Sequence, residues 1–272
     1  MMATQPKGRN DLIALLAGLR LTEFLTCHEE AAIKGEKEGW SFGQYLLYLS
    51  EMEAEARRQR RVERVLKQSC LPRDKTLETF DQSWLPAKVR RQIPSLVDGG
   101  FAEKGDNVLV FGLPGRGKTH LVCAIGQELI LRGFKVLFIP TYRLVQKLLV
   151  AKRDLTLEKA LKRLDAFDVV ILDDIGYIQQ DRDEMEVLFT FLAERYERKS
   201  VMITSNLVFS QWDRIFKDPM TTAAAIDRLV HHSVILQLNC KSYRGEAARL
   251  ALHQDQAGTQ QPPPATNPDN EA

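Results

Sequence analysis

Eight consecutive residues, Gly112-Leu113-Pro114-Gly115-Arg116-Gly117-Lys118-Thr119, constrain this chain more than any other stretch. They satisfy the pattern GxxxxGK[ST] in full, behind an apolar run (108–112) and ahead of a helical pattern. Strand, glycine-rich turn and helix in that order make a phosphate cradle, because glycines let backbone N–H groups turn inward at a helix N-terminus. Lys118 is placed to reach the β and γ phosphates, and Thr119 to offer its hydroxyl to Mg²⁺. The expected ligand is a nucleoside triphosphate with Mg²⁺. His120 adjoins the cradle and reads as a helix residue at the packing boundary.

Around this loop, apolar runs rich in Val, Ile and Leu alternate with amphipathic stretches: 108–112, 135–139, 168–172, 200–204 and 233–238. Strands alternating with helices predict an α/β fold, a parallel five-stranded sheet flanked by helices. The third run ends in Asp173 and Asp174. Carboxylates at the C-terminal end of a parallel strand lie where such sheets bind ligands. Asp173 is the expected Mg²⁺ ligand, direct or through water, and Asp174 the candidate base for the attacking water. The fourth run ends in Thr204, Ser205 and Asn206. Asn206 is read as orienting that water without adding charge, against the plainer reading of a turn asparagine. Further on, "TTAAAIDRLVHHSVI" suits a helix packed on the sheet with Arg228 near its end. An arginine there can project onto a neighbouring subunit's nucleotide; an ion pair with Asp227 is the plain alternative. His231 and His232 have no carboxylate or cysteine nearby in sequence at metal-ligand spacing, and read as structural.

Residues 1–70 read as a small all-α domain. Leu12, Leu15, Leu16 and Leu19 recur at helical spacing behind Asn10 or Asp11 as a cap. Ser41 with Gln44 makes a capping-box pattern, and Phe42, Tyr45, Leu46, Leu49 and Met52 share one face of the helix that follows. That helix turns basic: Arg57, Arg58, Arg60, Arg61, Arg64 and Lys67 stand against one acid, Glu63. Net charge is only +2, so any nucleic-acid surface must come from such local clustering. A stripe of this kind tracks a phosphate backbone without base readout, with a log–log salt slope of roughly −4 per chain. Residues 71–105, with Pro72, Pro86, Pro94 and Gly99-Gly100, read as a linker and lead-in; 106–250 as the nucleotide-binding domain; and the polar, proline-rich 251–272 as a disordered tail. The four cysteines (Cys27, Cys70, Cys123, Cys240) form no CxxC pair. With neither an apolar secretory core nor a long apolar run, a cytoplasmic protein with reduced thiols and no membrane contact is expected.

Together "GLPGRGKTHL", "VVILDDIGY", "VMITSNLVFSQW" and "AAAIDRLVHHSVILQLNCKSYR" resemble the IstB-type ATP-binding proteins of bacterial insertion sequences. These are AAA+ ATPases related to the DnaC helicase loaders and the initiator DnaA. The likeness runs from about residue 10 to 250. It implies an AAA+ P-loop ATPase core and an ATP-dependent helper of transposition. Such a helper forms a homo-oligomer on double-stranded DNA, bends it, recruits a transposase and is released on hydrolysis. It also implies that Asn206 is a sensor of the γ-phosphate, Arg228 an arginine finger, Arg244 in "SYR" a second sensor, and that Phe80 packs near the adenine. A DnaC-like replicative helicase loader is the alternative. A small-molecule kinase would need an acceptor pocket and an arginine-bearing lid, and neither is legible. A scaffold that binds ATP without cleaving it is a third class, separable by the appearance of ADP.

Overall fold

The structure, a computed structural model, describes residues 8–176, 181–212, 219–239 and 242. The chain divides into two compact units, 1–67 and 68–272.

In the first unit, α1 (Arg9–Gly18), α2 (Thr22–Glu38) and most of α3 (Phe42–Ser69) pack around Leu16, Ala31 and Leu49. The box at Ser41 forms: the Ser41 N–H donates to Gln44 Oε1 at 2.7 Å, and the Gln44 N–H to Ser41 Oγ at 3.3 Å. α1 is capped at Gly8, not at Asn10 or Asp11, and no side chain caps it. Glu53, 4% exposed, is the buried charge of this unit. One oxygen accepts the Glu23 N–H at 2.8 Å and so caps α2; the other binds Arg57 Nε at 2.6 Å. The apolar faces expected here are only partly covered. Leu16 and Leu49 are buried, whereas Leu12, Leu15, Leu19 and Leu46 are exposed and Phe42 is 96% exposed. A unit this small has too little surface to enclose both faces of a 28-residue helix.

The second unit is built on one parallel sheet, in the order β2-β3-β4-β1-β5. Its strands are β1 (Asn107–Phe111), β2 (Val136–Pro140), β3 (Val169–Asp173), β4 (Ser200–Ser205) and β5 (Ser233–Gln237). All five positions of β1 and the first four of β3 are buried, as covering both faces requires. The cover consists of α6 (Lys118–Leu131), α7 (Thr141–Arg153), α8 (Leu157–Leu164), α9 (Arg182–Arg195) and α10 (Pro219–Val230). Register aligns the functional ends: Phe111 pairs with Ser205, and Leu172 with Ile203. At the opposite end the Arg195 guanidinium, 2% exposed, donates to the carbonyls of Leu164, Phe167, Asp168 and Ser200 at 2.9–3.1 Å. This ties the entries of β3 and β4 together.

The segment expected to be a linker carries structure. α4 (Ala87–Asp98) and α5 (Gly100–Lys104) form within it, and α4 packs on α6 through the second unit's core. Val89, Ile93, Leu96 and Val97, at helical spacing, are buried despite Pro94 inside the helix. Further back, Gln127 Nε2 donates to the carbonyls of Pro72 and Lys75 at 2.8 and 3.0 Å, anchoring the lead-in on α6.

Candidate functional site

The phosphate loop closes between β1 and α6. Gly115 and Gly117 have φ of 79° and 81°, the left-handed region that turns successive N–H groups inward. At Gly117 a Cβ would also lie 3.0 Å from the Phe80 ring, which would have to give by a few tenths of an ångström. α6 begins at Lys118, which places its N-terminus at the cradle. Lys118, 8% exposed, donates from Nζ to the carbonyls of Gly112 (2.7 Å) and Leu113 (3.2 Å) and to Asn206 Oδ1. Leu113 itself points to solvent, and Pro114 lines the cavity with the glycines.

Asp173 Oδ1 accepts two hydroxyls, Thr119 Oγ1 at 2.9 Å and Thr204 Oγ1 at 2.7 Å. Thr204 Oγ1 also accepts the Asp174 N–H at 2.8 Å. Asp174 has φ of 61°, a left-handed conformation that aspartate tolerates better than most residues. The turn directs its carboxylate to Asn206, whose Nδ2 donates to Asp174 Oδ1 at 3.0 Å. Asn206 thus bridges the phosphate-loop lysine and the second acid. Burial, and then the Asp173 carboxylate, push the Asp174 carboxyl above the usual aspartate range, with Lys118 opposing. Thr119 and Asp173 present hard oxygens already in contact beside the cradle, a donor set that suits Mg²⁺. The cavity measures about 520 Å³, and Lys75, Arg116, His120, Asp174, Thr204 and Asn206 line it along with the loop.

Other expected residues fall in varied places. His120 serves the lead-in: its Nε2 lies 3.2 Å from both Thr79 Oγ1 and the Thr76 carbonyl, and its ring packs at a tilt against Phe80, 4.9 Å between centroids. Phe80 thereby rests on Gly117 at the edge of the loop. Arg116 Nη1 donates to the Leu238 carbonyl at 3.3 Å, tying the loop to the end of β5. Arg228 makes no ion pair with Asp227 among the described residues; its guanidinium lies over the Phe189 ring at 4.7 Å, with Nη1 buried and unpartnered. Arg244 lies outside the described residues, as do Cys240 and the tail. In the basic stripe, Arg57 and Arg60 both reach Glu53, and Arg58 makes two 2.8 Å bonds to Glu55. Arg61, Arg64 and Lys67 are exposed. The carboxylates one turn earlier on the same helix hold half of the stripe.

Two contributors escaped the sequence. Thr204 was visible only as part of a polar strand tip, and Lys75 gave no signal in the lead-in.

A five-stranded parallel sheet, a phosphate loop after β1, an acidic end on β3 and an asparagine at the end of β4 define a P-loop ATPase of the AAA+ class. Solved structures agree on the fold. The DnaC helicase loader superposes with a TM-score of 0.54 at 21% identity, covering 62% of this chain and 98% of that one. AMPPCP-bound DnaA from Aquifex aeolicus gives 0.51 at 20% identity, covering 68% and 56%. Sequence relatives are nearer. An insertion sequence ATP-binding protein of Sinorhizobium fredii is 45% identical over 238 residues, 87% of this chain and 80% of the relative. The insertion sequence IS21 ATP-binding protein of Pseudomonas aeruginosa is 38% identical over 243 residues, 89% and 91% of the two chains. The family model for IstB-like ATP binding proteins matches residues 14–251, and the chain belongs to that family. No helix among the described residues is long and apolar enough to cross a membrane.

Proposed function

We propose that this ATPase is a helper of insertion-sequence transposition: it assembles on double-stranded DNA, bends it, recruits a transposase and is released when ATP is cleaved. The observation that carries the ATP-switched part is the bridge from Lys118 through Asn206 to Asp174. It links the group that grips the phosphates to the group that would activate water, so occupancy and cleavage are sensed by one side chain. The relatives' names, each an insertion sequence ATP-binding protein, support the transposition setting.

In this reading Lys118 leaves its loop carbonyls for the β and γ phosphates, while the loop N–H groups hold the β phosphate. Thr119 and Asp173 would hold Mg²⁺, which supplies charge neutralisation on the phosphates when bound. Asp174 uses Oδ2, the oxygen not engaged by Asn206, to take a proton from water. That water's oxygen bonds to the γ phosphorus as the bond to the β–γ bridging oxygen breaks, giving ADP and phosphate. Arg228 would leave Phe189 to meet the nucleotide of an adjoining protomer, where an arginine is worth about 10³–10⁵ in rate. Arg61, Arg64 and Lys67 would lie along the DNA backbone.

The test is ATP hydrolysis by the full chain with and without duplex DNA and an insertion-sequence transposase, with electron microscopy of the DNA complex in a slowly cleaved ATP analogue. Stimulation by DNA and transposase, and oligomers on bent duplex, are expected. Stimulation by a replicative helicase instead would favour the loader, to which only the fold gives support. A solitary chain indifferent to duplex would overturn the proposal.

A further inference from the structure

We propose that His231, His232 and Glu197 form a binding site for a divalent transition cation of the zinc type. A ring nitrogen of each histidine and a carboxylate oxygen of Glu197 lie within 4.8 Å of one another, the one such three-residue set among the described residues. The carboxylate comes from the turn after α9, more than thirty positions away in the chain, so no local spacing announced it.

The groups are held by a shared scaffold. Three segments meet at the entry end of the sheet: the start of β1, the α9–β4 turn and the α10–β5 turn. Asn107, buried, joins all three. Its N–H donates to the His232 carbonyl at 2.7 Å, its Nδ2 to the Leu229 carbonyl at 3.4 Å, and its Oδ1 accepts the Val201 N–H at 3.0 Å. Glu197 has φ of 56°, an uncommon conformation for glutamate. Its backbone is pressed on Gly105, where a Cβ would lie 3.2 Å from the Glu197 carbonyl carbon and where φ is 77°.

The imidazoles have orienting partners. His232 Nε2 faces Glu197 at 3.8 Å while its Nδ1 faces Asp106 at 3.9 Å, both longer than a hydrogen bond; a small shift of these exposed side chains would give Nδ1 the carboxylate partner that supports a metal-bound imidazole. The Tyr196 hydroxyl lies 3.1 Å from His231 Nδ1 and holds the second ring. Nearby cations are engaged elsewhere, Arg198 with Asp165 and Lys199 with Asp168. Two imidazoles and one carboxylate, all exposed, match a three-ligand site completed by water. Tetrahedral ligands of zinc stand roughly 3.3 Å apart, so the exposed side-chain ends need to close by about half an ångström at the Glu197–His232 pair and by at most about 1.5 Å elsewhere in the set.

This site is separate from the nucleotide. It lies at the first residue of β1 and the phosphate loop follows the last, roughly 13 Å of strand away. A cation here would clip the end of α10 to the α9–β4 turn, fixing the helix that carries Arg228.

The test is calorimetric titration of the untagged, nucleotide-free full chain with ZnCl₂ in excess MgCl₂, with Co²⁺ absorption as a second readout. One tight equivalent per chain is expected, with at least a tenfold loss in Glu197→Gln and in His232→Ala, and about tenfold in Asp106→Asn. Circular dichroism checks folding; should His232→Ala not fold, Glu197→Gln and His231→Gln, both exposed, decide the matter. Absence of a tight equivalent in the wild type overturns the site. So does binding unchanged in these variants, or binding abolished only by alkylating the cysteines.

Discussion

Asn206→Ala isolates the bridge between phosphate grip and water activation. The substitution removes one acceptor from Lys118 and one donor from Asp174. Lys118 keeps the carbonyls of Gly112 and Leu113, so its Nζ stays at the loop. ATP affinity should therefore change by less than about tenfold, since the phosphates' principal partners are the lysine and the loop N–H groups. Asp174 loses the bond that aims it. Removing one positioned hydrogen-bond donor at a reacting centre costs about 10²–10³ in kcat, roughly 2.7–4 kcal/mol. Because Asn206 would act through Asp174, the double variant Asn206→Ala/Asp174→Asn should be no slower than the worse single change. Asn206→Asp is the contrasting probe: a carboxylate facing Lys118 competes with phosphate, so here affinity falls. The assay is single-turnover hydrolysis beside equilibrium binding of a fluorescent ATP analogue, both with duplex DNA. Equal losses of affinity and rate in Asn206→Ala, or additive effects in the double variant, would refute the reasoning.

The raised Asp174 carboxyl sets the pH response. If Asp174 is the base for the attacking water, as proposed, hydrolysis needs it ionised, so the acid limb of kcat/KM should lie above the usual aspartate range. Its stabilising contribution is fully present below the unfolded-state pKa and is lost as pH rises through the raised folded value, so Asp174→Asn should melt higher than the wild type at neutral pH while failing to hydrolyse; a lower melting temperature would contradict this. Arg228→Ala should leave ATP binding intact and remove hydrolysis only in the assembled state, with activity restored when it is mixed with a Lys118→Ala chain that donates its own arginine; no recovery in the mixture would place Arg228 outside the neighbour's site. Arg195→Met removes the buried guanidinium that ties the Leu164, Phe167 and Ser200 carbonyls at the entry of β3 and β4, at a cost of about 1–3 kcal/mol, and should lower Tm by about 5 °C by scanning calorimetry; a drop below about 2 °C would mean those carbonyls keep or find other partners.

What the sequence revealed and what it hid divide along one physical line. Buried parallel strands are covered on both faces, so they are written as unbroken apolar runs, and all five expected strands lie within a residue or two of β1–β5. The cradle is contiguous in the chain and its glycines have no other use, so it too was plain. The turn at Asp173-Asp174 and the tip at Asn206 could be named because each ends a strand; that they meet depends on the pairing of β3 with β4, which no local pattern encodes. Pro94, a helix breaker, masks in the sequence the helix that the apolar spacing of Val89, Ile93, Leu96 and Val97 builds around it. Charge was the least legible quantity. The six cations of α3 look alike in sequence, yet Glu53 and Glu55 hold three of them, while Arg61, Arg64 and Lys67 are exposed. If those three neutralise one phosphate each, the salt slope on duplex DNA is nearer −3 than −4 per chain, and strong binding must come from many chains side by side. Arg228, held on its own Phe189, fits the same proposal: if an adjoining protomer's nucleotide is where this arginine acts, assembly on DNA is what would complete the site.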